Sequence, residues 1–264
     1  MKTLHAVTLI ASLVPTMPSL AATVKTPVVW KIGATSFEGV LVYDDTRKTP
    51  RPGLILVPNW MGVTDANVAQ AAAIAGTRYV ILVADVYGKA QRPTTAETAG
   101  KAAGALKADR QLLRQRVNKA LEVLLAQAGK APLDPGKVGA IGFCFGGAGA
   151  LELARSGANV AGTVTFHGTL SSPTPADAKA IRGKVLALHG ADDPYVPAAE
   201  VQGFEDEMRG AGVDWQLVKL GGAVHSFTDP AASAAGTAQY NPLAARRAFT
   251  MMNAFFDEVF GVNG

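Results

Sequence analysis

Apolar runs of strand length alternate along the chain with longer stretches whose apolar positions recur at helical spacing. Val28-Val29-Trp30-Lys31-Ile32 and Phe37-Glu38-Gly39-Val40-Leu41-Val42-Tyr43 predict an antiparallel pair that turns at Gly33-Ala34. Leu54-Ile55-Leu56-Val57 follows Pro52-Gly53 as a continuous apolar run, the pattern of a strand buried on both faces. An Ala-rich helix is expected over 66–76, a second buried strand over 79–84, and one long helix over roughly 97–128, ended by Gly129 and Pro132. Strands follow at 137–142, 160–166, 185–189 and 215–220. Helices are expected after Gly146 through Arg155, at 197–210, and from Pro242 to Phe260. This alternation predicts an α/β fold, a mostly parallel central sheet with helices on both faces. No linker composition or repeat interrupts it, so residues 23–264 read as a single domain.

The first 22 residues depart from this pattern. Lys2 gives a positive start, Leu4 to Val14 is mainly apolar, Pro15 and Pro18 break the run, and Ser19-Leu20-Ala21 supplies small residues for cleavage. These are the three regions of a secretory signal, so the mature protein is expected to be secreted or periplasmic. The apolar run is too short to remain as a membrane span, and no later segment reaches the necessary length, so stable membrane insertion is not expected.

Composition narrows the classes. The chain is 48% hydrophobic and 17% charged, which excludes a disordered protein. A net charge of +4 comes from scattered rather than clustered Lys and Arg, so nucleic acid is not an expected partner. A single cysteine in 264 residues excludes an intrachain disulfide and a cysteine-based zinc cluster.

That cysteine sits in Gly142-Phe143-Cys144-Phe145-Gly146-Gly147, between a buried strand and a helix. The spacing matches the nucleophile elbow G-x-S-x-G with Cys in place of Ser. So tight a turn demands neighbours without a Cβ, and it sets the sulfur at a helix N-terminus, where negative charge is favoured. A phosphate-cradling loop fits less well, because the Lys-Ser/Thr pair of a P-loop is missing.

A thiol nucleophile needs a base and a group to orient that base. On such a fold the chain order is nucleophile, acid, histidine. The strand 185–189 leads through Gly190 to Asp192 and Asp193, and the strand 215–220 leads to His225. His225 alone follows the acids in the chain and is the expected base. Asp193 is the preferred orienter, because Asp192 has the alternative of bonding turn backbone. His167, just past another strand, is a candidate pocket residue, and His189 reads as structural.

Together G-F-C-F-G-G at 142–147, H-G-A-D-D-P-Y-V-P at 189–197, H-S-F at 225–227 and Asp85-Val86-Tyr87 resemble the dienelactone hydrolase family of α/β hydrolases, over about residues 25–260. The resemblance implies an α/β-hydrolase fold and a Cys144, Asp193, His225 triad. It implies an oxyanion hole from the backbone N–H groups of Trp60 and Phe145, and an ester or lactone as small-molecule substrate. It implies no metal or organic cofactor. Many members carry a Glu where this chain has Asn59, which can hydrogen-bond but cannot act as a carboxylate base. The family's substrate-carboxylate arginines fall near Lys89 and Arg92 and at Asp229. An anion in the second place counts against a dienelactone-type anion as the substrate. The expectation is an exported thiol hydrolase. The rivals are a small-ligand-binding homologue that has lost turnover and, more remotely, a redox-sensing thiol protein.

Overall fold

The protein is described by a computed structural model over residues 23–261. The expected signal, residues 1–22, lies outside the described residues. Eight strands form one sheet in the order β1-β2-β4-β3-β5-β6-β7-β8. β1 (Thr23–Ile32) and β2 (Thr35–Asp44) are the antiparallel pair at one edge, and β2 pairs antiparallel with β4 (Val80–Val83). From there β3 (Arg51–Val57), β5 (Leu133–Phe143), β6 (Gly162–Phe166), β7 (Lys184–Gly190) and β8 (Trp215–Leu220) run parallel.

The all-apolar strands are buried on both faces because helices cover both. Leu54 and Leu56 pack with α1 (Asp65–Ala75) and α6 (Pro242–Phe260) on one side. Ile55 and Val57 pack on the other, with α2 (Ala96–Ala108), α3 (Arg110–Leu125) and α4 (Phe145–Arg155). α5 (Ala198–Ala211) extends that layer over Val185 and Ala187. All four side chains of 54–57 are fully buried, each contributing about 1.5–3 kcal/mol of transfer free energy.

One expectation fails. The stretch 97–128 is two helices, not one. Asp109 leaves helical geometry at φ −107° and ψ 82°, and its carboxylate accepts the N–H of Leu112, capping α3. The other expected elements are present, each end within five residues of its expected place. The sequence patterning had also not shown the two-residue strands β9 (Ser233–Ala234) and β10 (Ala238–Gln239) that follow His225. Among the described residues no helix is long and apolar enough to cross a membrane.

Candidate active site

Cys144 stands where β5 turns into α4, at φ 55° and ψ −123°. A non-glycine residue there is strained, and the strain is held by the backbone packed around it. A Cβ on Gly142 would fall 2.0 Å from the Gly146 carbonyl oxygen, and one on Gly146 would fall 2.0 Å from that of Val57. The G-x-C-x-G spacing is therefore a steric requirement of strand, elbow and helix meeting at close quarters. The Cys144 N–H donates to the Phe166 carbonyl at 3.1 Å, tying the elbow to β6.

Asp193 and His225 reach Cys144 from the carboxyl ends of β7 and β8. His225 Nδ1 donates to Asp193 Oδ2 at 2.7 Å, while Asp193 Oδ1 accepts the Tyr195 N–H at 2.8 Å. Asp192 is turned away, its carboxylate accepting the Gly222 N–H at 3.0 Å. Burial drives the His225 imidazole towards neutrality. The hydrogen bond to Asp193 and the charges of Asp193 and the neighbouring Cys144 outweigh that and raise its pKa from 6.5 to about 9. The ring thus adjoins the carboxylate on one side and the thiol on the other. Its backbone is gripped as well: His225 N–H donates to Thr237 O at 3.1 Å, and Gln239 N–H donates to His225 O at 3.0 Å. The turn 233–239 therefore holds the histidine, a contact that no local pattern around His225 announces.

The N–H groups of Phe145 and Trp60 have no acceptor among the described residues. Phe145 opens α4, so its N–H shares the positive end of that helix. Tyr87 links the two: its hydroxyl donates to the Trp60 carbonyl at 2.9 Å, and its ring stacks on Phe145 at 5.8 Å. Asn59 does not stand in for a carboxylate base. Its Oδ1 accepts from the Met61 N–H at 3.0 Å and from Asn67 Nδ2 at 3.1 Å, so the side chain shapes the Trp60 loop from within.

His167 is buried at φ 39°, with Nε2 2.8 Å from Thr228 Oγ1 and its ring edge-on to His225 at 5.1 Å. Burial, then the neighbouring His225 charge, holds it well below the usual histidine pKa, hence neutral. Asn59, Cys144 and His167 line one cavity of about 720 Å³. Lys89 and Arg92 lie outside its wall. Lys89 pairs with Glu38 at 2.7 Å, and Arg92 with Asp85 at 3.2 Å and with the Glu38 carbonyl. Asp85 is a structural hub that also accepts the N–H groups of Glu38, Tyr87 and Gly88. The cation in the cavity wall is instead Arg246, from α6, facing the same space as Asp229. The sequence reading missed it because it lies far along the chain, on a helix face that only the fold turns towards the thiol.

A mostly parallel sheet with a thiol on the turn after β5, an acid after β7 and a histidine after β8 defines an α/β hydrolase. The sequence model of the dienelactone hydrolase family matches residues 37–260. The chain belongs to that family, and its class is ester or lactone hydrolase. It is 40% identical to a dienelactone hydrolase-like promiscuous phosphotriesterase from metagenomic libraries, with a TM-score of 0.85 over 91% of this chain and 100% of that one. It is 33% identical over 132 residues to an uncharacterized protein of Caenorhabditis elegans, spanning 48% of this chain and 84% of that protein. The dienelactone hydrolase of Anabaena variabilis, 19% identical with a TM-score of 0.66 over 89% of this chain and 98% of that one, shares the fold.

Proposed function

We propose that the protein is an exported thiol-dependent hydrolase of ester or lactone bonds. The observation that carries the reading is the line from Cys144 through His225 to Asp193, closed by a 2.7 Å hydrogen bond between the last two. His225 takes the proton of Cys144 as the sulfur attacks the substrate carbonyl carbon. The carbonyl oxygen takes up the displaced electron pair and is met by the N–H groups of Phe145 and Trp60. The intermediate collapses, the carbon–alkoxide bond breaks, and His225 gives its proton to the leaving alkoxide. Water then attacks the thioester with neutral His225 as base, releasing the carboxylic acid and restoring the thiol. Asp193 fixes the imidazole tautomer throughout.

Export rests on the three-part pattern of residues 1–22. Likeness to the phosphotriesterase relative makes phosphotriesters a second substrate class, since attack on phosphorus also needs a nucleophile and donors for the developing oxyanion. The test is hydrolysis of aryl esters by the wild type and Cys144→Ala, with intact-mass detection of an acyl-enzyme. The expected result is an acyl adduct on Cys144 and loss of turnover in the variant. Full activity in Cys144→Ala overturns the mechanism. N-terminal sequencing of protein recovered from the periplasm tests export.

A further inference from the structure

The cavity at Cys144 continues away from it, between α1 and α6. At the near end, Asn67 of α1 donates to Asn59 Oδ1 and to the Gly62 carbonyl, 3.1 and 2.8 Å away, beside the Trp60 loop. Asn241, which caps α6, donates its N–H to Phe227 O at 3.1 Å, just past His225. Both helices therefore start at the site and run away from it. At the far end the segment that follows α1 is tied to α6: the Tyr79 hydroxyl donates to Asn253 Oδ1 at 3.1 Å, and Arg78 pairs with Asp257. The wall changes along the way. Its two charged residues, Asp229 and Arg246, belong to the near end and are of opposite sign. Beyond them it is mainly apolar, with Ala69, Ala73, Ile74, Phe249 and Met252, and Gln70 and Asn253 are its polar members. The alanines of α1 leave the width, and the seven steps from Asn67 to Ile74 set a length of about 10 Å at 1.5 Å per residue.

We infer that this cleft is the acyl-chain site of the hydrolase, taking a neutral, apolar acyl group of up to about eight carbons, with its carbonyl at Cys144 and its free end between Ile74 and Met252. The inference rests on the thiol-hydrolase reading above. The side of the scissile bond follows from His225. The leaving group must adjoin that imidazole to receive its proton, yet His225 is not part of the cleft wall, whereas Cys144 and His167 are. His167, which lines the cleft and is bonded to Thr228, lies edge-on to the His225 ring at 5.1 Å. The leaving group thus lies on the His225 side and the acyl group in the cleft. The chain-length limit follows from the cleft length, because an extended chain advances about 1.2 Å per bond, a third of the span of a three-bond residue.

The experiment is kcat/KM for p-nitrophenyl acetate, butyrate, hexanoate, octanoate and dodecanoate, beside a series of acetates with lengthening alcohols, on wild type, Ala73→Phe, Ala69→Phe and Cys144→Ala. Each buried methylene is worth up to about fourfold in kcat/KM. The acyl series should climb towards octanoate and then level off, while the alcohol series should show no such climb. A phenyl group at either alanine should cut the octanoate-to-acetate ratio at least tenfold; two variants at exposed positions guard against one that fails to fold. An acyl series without a gradient, a gradient that follows the alcohol, or an unchanged ratio in both Phe variants overturns the acyl-site assignment while leaving Cys144-dependent turnover in place. No turnover at all, or turnover that survives in Cys144→Ala, overturns the hydrolase reading itself.

Discussion

Asp193→Asn should uncouple the histidine from the charge that sustains it. In the native site, burial pushes the His225 pKa down, and the Asp193 and Cys144 contacts carry it from 6.5 to about 9. At about 1.4 kcal/mol per pH unit, that rise corresponds to roughly 3 kcal/mol of preferential stabilisation of the imidazolium. Because the folded pKa lies above the unfolded one, this contribution is complete below pH 6.5 and is lost as pH climbs through 9. In Asp193→Asn, burial is opposed by Cys144 alone, so the imidazole should titrate below its wild-type value. The stability gap between wild type and variant should therefore be widest near pH 6 and narrow by up to about 3 kcal/mol by pH 9 to 10. His167 acts with the opposite sign. Its depressed pKa gives a contribution that is present above pH 6.5 and is lost as pH falls, and the larger part of it, which comes from burial, is common to both proteins and cancels in the gap. Urea unfolding across pH 5.5–9.5, with NMR titration of the His225 ring, reads both quantities. Turnover should fall by about 10³–10⁴-fold, because Asn stabilises the wrong tautomer. A gap that does not vary with pH, or a wild-type His225 that titrates at its ordinary value, would refute the account of the site.

Gly146→Ala places a Cβ 2.0 Å from the Val57 carbonyl oxygen, backbone against backbone; a loss of about 4 kcal/mol or failure to fold is expected in urea unfolding. Tyr87→Phe removes the hydroxyl that holds the Trp60 carbonyl. It should cost about 1 kcal/mol in a urea melt, and kcat should fall by less than the 10²–10³-fold expected from losing an oxyanion donor outright. Arg155 is wholly buried between Glu152 and Glu207, with Nη2 2.7 Å from Glu207 Oε2. Arg155→Met should cost about 3–5 kcal/mol by leaving buried carboxylates short of a partner, whereas exposed Lys101→Met, which removes an i,i+4 pair with Glu97, should cost under about 1 kcal/mol.

The parts of this protein legible in its sequence are those where a local rule and the global fold make the same demand. Val57 and Gly142 are buried in neighbouring strands, and both periodicity and sheet geometry require apolar or absent side chains there. Gly142 answers a clash with Gly146 within a few residues, so the spacing reveals the elbow even though Gly146 itself answers to Val57 in a neighbouring strand. The order Cys, Asp, His is legible because each residue ends a strand that reads clearly. Where a residue's role depends on what it meets across the fold, the pattern misleads. Lys89 and Arg92 stand close to Asp85 and Tyr87 in sequence, but their charge is spent on Glu38 and Asp85, which no neighbouring residue reveals. Asp109 breaks an otherwise continuous helical pattern through one side-chain bond to the Leu112 N–H, and an Asp followed three residues later by an apolar run was the available signal. The cleft walls were hidden for a related reason. An alanine on α1 carries no chemistry of its own, so Ala69 and Ala73 look like helix filler until α6 is set opposite them. What the site can do is written in the elbow and its two partners. What it accepts is set by residues on two helices nearly 180 positions apart, which is why substrate class is the part of function that the sequence alone conceals.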